Sequence, residues 1–149
     1  MKRIQFYKTN EPFGEFSNFS PHPVELGGKA WKTAEHYFQA QKFAGTEHEE
    51  VVRLADSPMV AARLGRSRQR PLRADWDTIK DGVMLDVLRA KFSQHPALKA
   101  LLLGTRDALI VEHTTNDRYW GDGGNGKGRN RLGELLMALR EELRKPQGS

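Results

Sequence analysis

Thr33-Ala-Glu-His-Tyr-Phe-Gln-Ala-Gln-Lys42 is the stretch on which the reading of this chain turns. The Thr33 hydroxyl can accept from an amide of a first helical turn, so the pattern predicts a helix from Thr33 to about Ala44. At about 100° per residue, Glu35, Gln39 and Lys42 share a face with Trp31 and Phe38. Ala34, Tyr37, Ala40 and Phe43 take the remaining sides, so no wholly polar side is left for water. Glu35 and Lys42 stand about 10 Å apart along the axis, too far for an easy direct ion pair, yet both could reach a ligand lying along the helix. The other reading is a surface helix whose long polar side chains lie over aromatic rings with their heads in water.

On the N-terminal side, Ile4–Tyr7 and His22–Leu26 read as short strands, and Gly27–Gly28 turns the chain toward Lys29–Lys32. Phe13–Pro23 reads as a loop with buried aromatic anchors. On the C-terminal side a second helix is predicted over about Glu47–Ala55. A third starts at Ser57–Pro58, Ser at the cap and Pro at the first helical position, and is expected to stop at Gly65. Arg66–Arg73 is irregular and basic. Asp75 or Asp77 then caps a long helix to about Ser93, with Ile79, Val83, Val87 and Phe92 on or near its apolar side. Pro96 opens a brief helix ending near Gly104, Ala108–His113 is a strand candidate, and Leu132–Lys145 forms the last helix. Pro146–Ser149 reads as a frayed tail. The expected fold is α+β: a single, mostly helical domain over residues 1–149 with a small β-sheet.

The chain has 149 residues, 38% hydrophobic and 29% charged, an ordinary balance for a soluble globular domain. It has no cysteine, which excludes disulfides and thiolate metal sites. No run approaches the length needed to cross a bilayer, and Ile4–Tyr7 after Met1–Lys2–Arg3 is too short for a signal peptide. A cytosolic (cytoplasmic) protein with no membrane partner is expected. The net charge of +5 favours an anionic ligand, either a phosphorylated small molecule or a nucleic acid.

Three further segments can carry chemistry. Arg63, Arg66, Arg68, Arg70 and Arg73 fall in a stretch free of Asp and Glu, where one or two guanidinium groups could hold phosphate while the rest are solvated. Glu112–His113 and Asn116-Asp-Arg-Tyr-Trp-Gly121 place acidic residues beside Tyr119 and Trp120. A carboxylate can stabilise positive charge at an anomeric carbon while an aromatic face stacks on a base; a plain turn with aromatics dipping into the core fits as well. Gly121-Asp-Gly-Gly-Asn-Gly-Lys-Gly128 matches two nucleotide-binding patterns and satisfies neither. Gly128 stands where a P-loop needs Ser or Thr, and too little chain follows for either fold. Its glycines still let backbone amides approach an anion, with flexibility as the simpler use. The histidines have no metal-ligand spacing, and no serine-hydrolase elbow occurs.

Taken together, these segments resemble the NADAR family and its YbiA-like branch. The resemblance rests on Phe16-Ser-Asn-Phe-Ser20, Glu35-His-Tyr-Phe-Gln-Ala-Gln-Lys42 and Ser57-Pro-Met-Val-Ala-Ala-Arg-Leu-Gly-Arg66. It continues through Trp76, Met84, Leu88-Arg-Ala-Lys-Phe92, Leu101-Leu-Leu103, Val111-Glu-His113 and Asp117-Arg-Tyr-Trp-Gly-Asp-Gly123. Gly128-Arg-Asn-Arg-Leu-Gly133 and Leu136-Met-Ala-Leu-Arg140 complete it. It implies hydrolysis of an N-glycosidic bond with no metal and no cofactor. In the YbiA-like branch the substrates are early riboflavin-pathway intermediates, pyrimidines carrying ribosylamino phosphate, cleaved to the base and ribose 5-phosphate before they do damage. Another branch removes ADP-ribose from guanine in nucleic acid. The site residues the resemblance carries over are Glu35, Trp76, Asp117 and Trp120, with Lys42 and Asn130 close by.

On that footing Glu35 and Asp117 are expected to divide the acid–base work. Trp76 and Trp120 are expected to sandwich the base, and Arg66 with the amides of the loop opened by Gly121 to hold phosphate. Lys42 is a candidate for a Schiff base with the opened sugar, its amine pKa lowered among aromatics. The expected partner is a small phosphorylated riboside. Nucleic acid takes its place if the guanine activity holds, and a non-catalytic nucleotide-binding module is the rival from outside enzymology. The sequence leaves the oligomeric state open.

Overall fold

A computed structural model describes residues 2–145, so the Pro146–Ser149 tail lies outside the described residues. In chain order the elements are β1 (Arg3–Phe6), a 3-10 turn (Gly14–Phe16), β2 (Val24–Leu26), β3 (Lys29–Trp31), α1 (Ala34–Gln41), α2 (Glu47–Arg53) and α3 (Pro58–Arg66). They are followed by α4 (Trp76–Gln94), α5 (Pro96–Gly104), β4 (Leu109–Glu112) and α6 (Arg131–Arg144). The architecture is α+β. The strands form two separate two-stranded pairs, one parallel (β1 with β4) and one antiparallel (β2 with β3), where the sequence suggested one small sheet. Among the described residues the backbone gathers into two units, residues 18–94 and residues 2–17 with 95–145.

In the unit of residues 18–94, Gly27 and Gly28 take φ of 65° and 79° and turn β2 back on β3, the conformation a two-residue hairpin loop requires. Thr33 caps α1 by accepting from the His36 amide, Thr46 caps α2 through the His48 amide, and Ser57 caps α3 through the Val60 amide. α1 packs on α2, α3 and α4. It buries Ala34, Phe38 and Ala40 with Phe43, Val52, Ala61 and Ala62, and α4 adds Met84, Val87, Leu88 and Phe92.

Three sequence expectations need correction in this unit. Gly65 lies inside α3, which runs on to Arg66 with Ser67 at its end. The glycine is there for room, since a Cβ would sit 1.9 Å from Gln39 Oε1. The buried side of α4 turns toward Met84 and Leu88, leaving Ile79 and Val83 half-buried. The Asp75 carboxylate pairs with Arg73, Oδ1 at 2.6 Å from Nε, while its backbone carbonyl accepts from the Thr78 and Ile79 amides at the start of α4.

In the other unit, β1 and β4 run parallel with Arg3 opposite Leu109 and Phe6 opposite Glu112. α6 lies on β4 and α5. Its N-terminus approaches so closely that a Cβ on Gly133 would be 2.1 Å from the Ile110 carbonyl oxygen. Leu132, Leu135, Leu136 and Leu139 of α6 are buried with Ile110, Leu102 and Ile4. The expected aromatic anchor is Phe16, fully buried and edge-on to Phe6 at 5.8 Å.

Candidate active site

Glu35, Gln39 and Lys42 form one buried polar row along α1, at relative exposures of 9%, 6% and 8%. Two local features set Glu35. Its amide donates to the Asn18 carbonyl at 3.1 Å, and it sits in the first turn of α1, where the helix dipole favours a carboxylate. Gln39, one turn on, donates through Nε2 to Glu35 Oε2 at 2.8 Å. Lys42 closes α1 as its C-cap, the end of a helix that favours a cation. Its Nζ lies 3.4 Å from the Gly65 carbonyl oxygen and 5.9 Å from the centre of the Trp76 ring. Trp76 begins α4, is buried, and meets Phe38 edge-on at 5.1 Å.

Burial pushes the Lys42 amine down from 10.5 to about 8, helped by the positive charges of Arg68, Arg66 and Lys80 and opposed by the Glu35 carboxylate. The amine therefore lies in a field with three cations and one anion. Of the arginines, Arg66 is exposed at the end of α3, and Arg68 donates to the Gly65 carbonyl at 3.2 Å. Arg73 is spent on structure, pairing with Asp75 and donating to the Gln41 carbonyl. Arg70 is half-buried and its Nε has no hydrogen-bond partner.

Asp117, Trp120, Gly121 and Asn130 belong to the other unit, where they build one turn. Asp117 Oδ1 accepts from the Tyr119 and Trp120 amides at 2.9 and 2.8 Å. Its Oδ2 has no hydrogen-bond partner among the described residues. Trp120 is half-buried and meets Tyr119 edge-on at 4.8 Å. Asn130 uses both ends of its amide on β4, Oδ1 accepting from the Glu112 amide and Nδ2 donating to the Ile110 carbonyl, each at 2.9 Å.

The glycine-rich segment is pinned rather than loose. The Asp122, Gly123, Gly128 and Asn130 amides donate to the Glu112, Asp117, Asp122 and Gly121 carbonyls. A Cβ on Gly121 would meet Thr114 Cγ2 at 2.7 Å, and one on Gly128 the Gly121 carbonyl oxygen at 2.6 Å.

Sequence reasoning missed Asp122, which organises this turn. It is buried, its Oδ1 takes the Thr114 and Gly124 amides, and its Oδ2 lies 2.7 Å from His113 Nδ1. Burial alone would raise its pKa, but the His113 contact and the two amides outweigh burial and hold it below the usual value. Lys80 was also missed, although spacing could have found it, since it follows Trp76 by four.

His36 is buried between Thr33 Oγ1 and the Ala55 carbonyl, a structural position. Among the described residues, no group of three His, Asp or Glu side chains is arranged to hold a metal, and no helix is long and apolar enough to cross a membrane.

The NADAR domain model matches residues 5–144. The chain is 59% identical over 140 residues to N-glycosidase YbiA of Escherichia coli K12, covering 94% of this chain and 88% of that protein. It is 43% identical to the maize chloroplastic riboflavin biosynthesis protein PYRR, over 94% of this chain but 25% of that longer protein. The solution structure of E. coli YbiA superposes with a TM-score of 0.88 at 53% identity, covering 99% of this chain and 92% of that one. The chain belongs to the NADAR family, and it is an enzyme of the N-glycosidase class.

Proposed function

We propose that the chain hydrolyses the N-glycosidic bond of a phosphorylated ribosylamino-pyrimidine of riboflavin biosynthesis, releasing the base and ribose 5-phosphate. The observation that carries the reading is Lys42: a buried amine beside an indole, held near 8 and crowded by Arg66, Arg68 and Lys80. A phosphate dianion is the ligand that such a crowd of like charges favours. At pH 7 roughly a tenth of an amine with that pKa is neutral and nucleophilic. The riboflavin-biosynthesis name of the maize relative supports the choice of base.

In this reading the C1′–O4′ bond breaks first, O4′ taking a proton and C1′ becoming doubly bonded to the base nitrogen, and the Lys42 amine adds across that C1′=N bond. The C1′–N bond to the base then breaks, its electron pair and a proton staying with the base nitrogen, and leaves a Lys42–C1′ Schiff base. Water adds to that carbon, the C1′–Nζ bond breaks, and the sugar leaves as the aldehyde with the amine restored. Glu35 moves the protons for these steps. Within the other unit, Asp117 keeps its Oδ2 uncommitted among the described residues and Trp120 is half-exposed. Trp76 serves as the wall that sets the Lys42 amine. Asn130 and Gly121 keep the Asp117 turn in shape, and Arg66 and Arg68 hold phosphate.

The test is incubation with the ribosylamino-pyrimidine phosphate, and separately with guanine-ADP-ribosylated DNA, each with and without borohydride. Release of ribose 5-phosphate, with a reduced sugar adduct on Lys42 by peptide mass mapping, is the expected result. Release of ADP-ribose from the DNA alone would move the substrate to nucleic acid. Turnover without an adduct would remove the Schiff base, and no turnover of either substrate would overturn the reading.

A further inference from the structure

Gln39 carries a polar oxygen that nothing satisfies. The side chain is buried at 6% exposure, its Nε2 donates to Glu35 Oε2 at 2.8 Å, and its Oε1 has no hydrogen-bond partner. An amide carbonyl buried without a partner is costly, and a 180° turn of the amide would exchange the two ends. That turn would set a carbonyl oxygen against the Glu35 carboxylate, two acceptors face to face, unless Glu35 carried a proton. The orientation is therefore the one that leaves Glu35 Oε2 as an acceptor. The neighbouring helix is shaped around it. Gly65 sits inside α3, where glycine is less favourable than alanine, and a Cβ there would lie 1.9 Å from Gln39 Oε1 and 2.7 Å from Cδ.

We propose that Gln39 is a positioning residue for Glu35, holding its carboxylate in place and in its charged form, and that Gly65 is the gap that lets it do so. The inference rests on the reading of Glu35 as the proton-moving group. It adds a residue whose work is done through another: Gln39 donates to Oε2, fixes the rotamer of Glu35, and resists its protonation. The orphaned Oε1 is what remains when the amide's other end is committed to that task.

The test separates this inference from the reading beneath it. The Glu35 carboxyl carbon is followed by NMR through a pH titration in the wild type, Gln39→Met and Gly65→Ala, a readout that needs no substrate. Gln39→Met keeps the length and burial of the side chain and removes the donor. The Glu35 midpoint should rise by about one pH unit or more, the size of a lost hydrogen bond to a charged group. Gly65→Ala, which must push the amide aside, should give a rise of the same sign. In a Gln39→Ala background, where the space is free, Gly65→Ala should change nothing further.

Turnover of the ribosylamino-pyrimidine phosphate should show kcat falling in Gln39→Met with KM little changed, and the acidic limb of the rate profile moving with the NMR midpoint. An unmoved Glu35 midpoint in both single variants, each folded by near-ultraviolet circular dichroism, overturns the inference. A Glu35→Gln variant that keeps full kcat overturns the reading of Glu35 instead, whatever the titration shows.

Discussion

Replacing Lys42 by methionine should make the protein more stable and inactive at once. The amine is held near 8 instead of 10.5. At about 1.4 kcal/mol for each tenfold change in an equilibrium, keeping it charged at pH 7 costs the fold up to about 3 kcal/mol. Methionine fills nearly the same volume and keeps the stem's packing. What it gives up is the cation above the Trp76 ring at 5.9 Å, worth about 1 kcal/mol, and a long contact to the Gly65 carbonyl at 3.4 Å, worth about 0.5 kcal/mol at most. The balance is a gain of about 1–2 kcal/mol.

The sign of the pH dependence follows from the two protonation states. Between about 8 and 10.5 the unfolded chain binds a proton at Lys42 that the folded chain does not. Wild-type stability therefore rises with pH through that window relative to Lys42→Met, and the advantage of the variant closes by about pH 10.5. Urea unfolding of both proteins at pH 7, 8.5 and 10 measures it, and the other lysines cancel in the difference. A Lys42→Met variant less stable than wild type at pH 7, or a gap that does not change with pH, would refute the reasoning.

Gly133→Ala should destabilise by about 2–4 kcal/mol, because the clash is with the Ile110 backbone carbonyl, which cannot rotate away. Gly82→Ala, mid-α4 with open space around it, should stabilise by about 0.5–1 kcal/mol, and thermal melts of the two glycine variants beside wild type measure both changes. Asp122→Ala strands the Thr114 and Gly124 amides and should cost about 2–4 kcal/mol at pH 7. Since the folded-state pKa of Asp122 is depressed below 3.8, that contribution is present above 3.8 and lost as pH falls beneath it, which urea melts at pH 7 and pH 3 will register. Burial, helped by the Lys32 charge, lowers the His36 pKa against the Ala55 carbonyl's pull. The unfolded chain therefore takes up a proton below 6.5 that the folded chain refuses, and the urea midpoint should fall as pH drops from 6.5. An imidazole NMR signal that titrates at 6.5 would contradict this.

Where a residue acts on its own neighbours in sequence, it was legible. Thr33 and Ser57 cap helices because a hydroxyl three residues before an amide needs no knowledge of the fold, and Gly27–Gly28 turns a hairpin for the same reason. Where a residue answers to a distant partner, sequence was silent. Gly65 looked like a helix stop, yet it yields to a glutamine on another helix. β1 and β4 were both visible as strands, but their parallel pairing across the length of the chain was not. The row of Glu35, Gln39 and Lys42 was visible as a face, whereas the hydrogen bond along it and the cations around its end required coordinates. Asp122 went unnoticed because its value lies in a turn whose amides converge only after folding.

The parallel pairing of Arg3–Phe6 with Leu109–Glu112 also sets a timetable for synthesis. The first strand leaves the ribosome about a hundred residues before its partner exists. At about 5–20 residues per second, that is a wait of roughly 5–20 s. Residues 18–94 form a contiguous unit and can assemble during this interval, while the opening segment must stay unclaimed until β4 emerges. Arg3 and Gln5, exposed on either side of Ile4, keep the waiting strand from being a uniformly apolar edge for a neighbouring nascent chain.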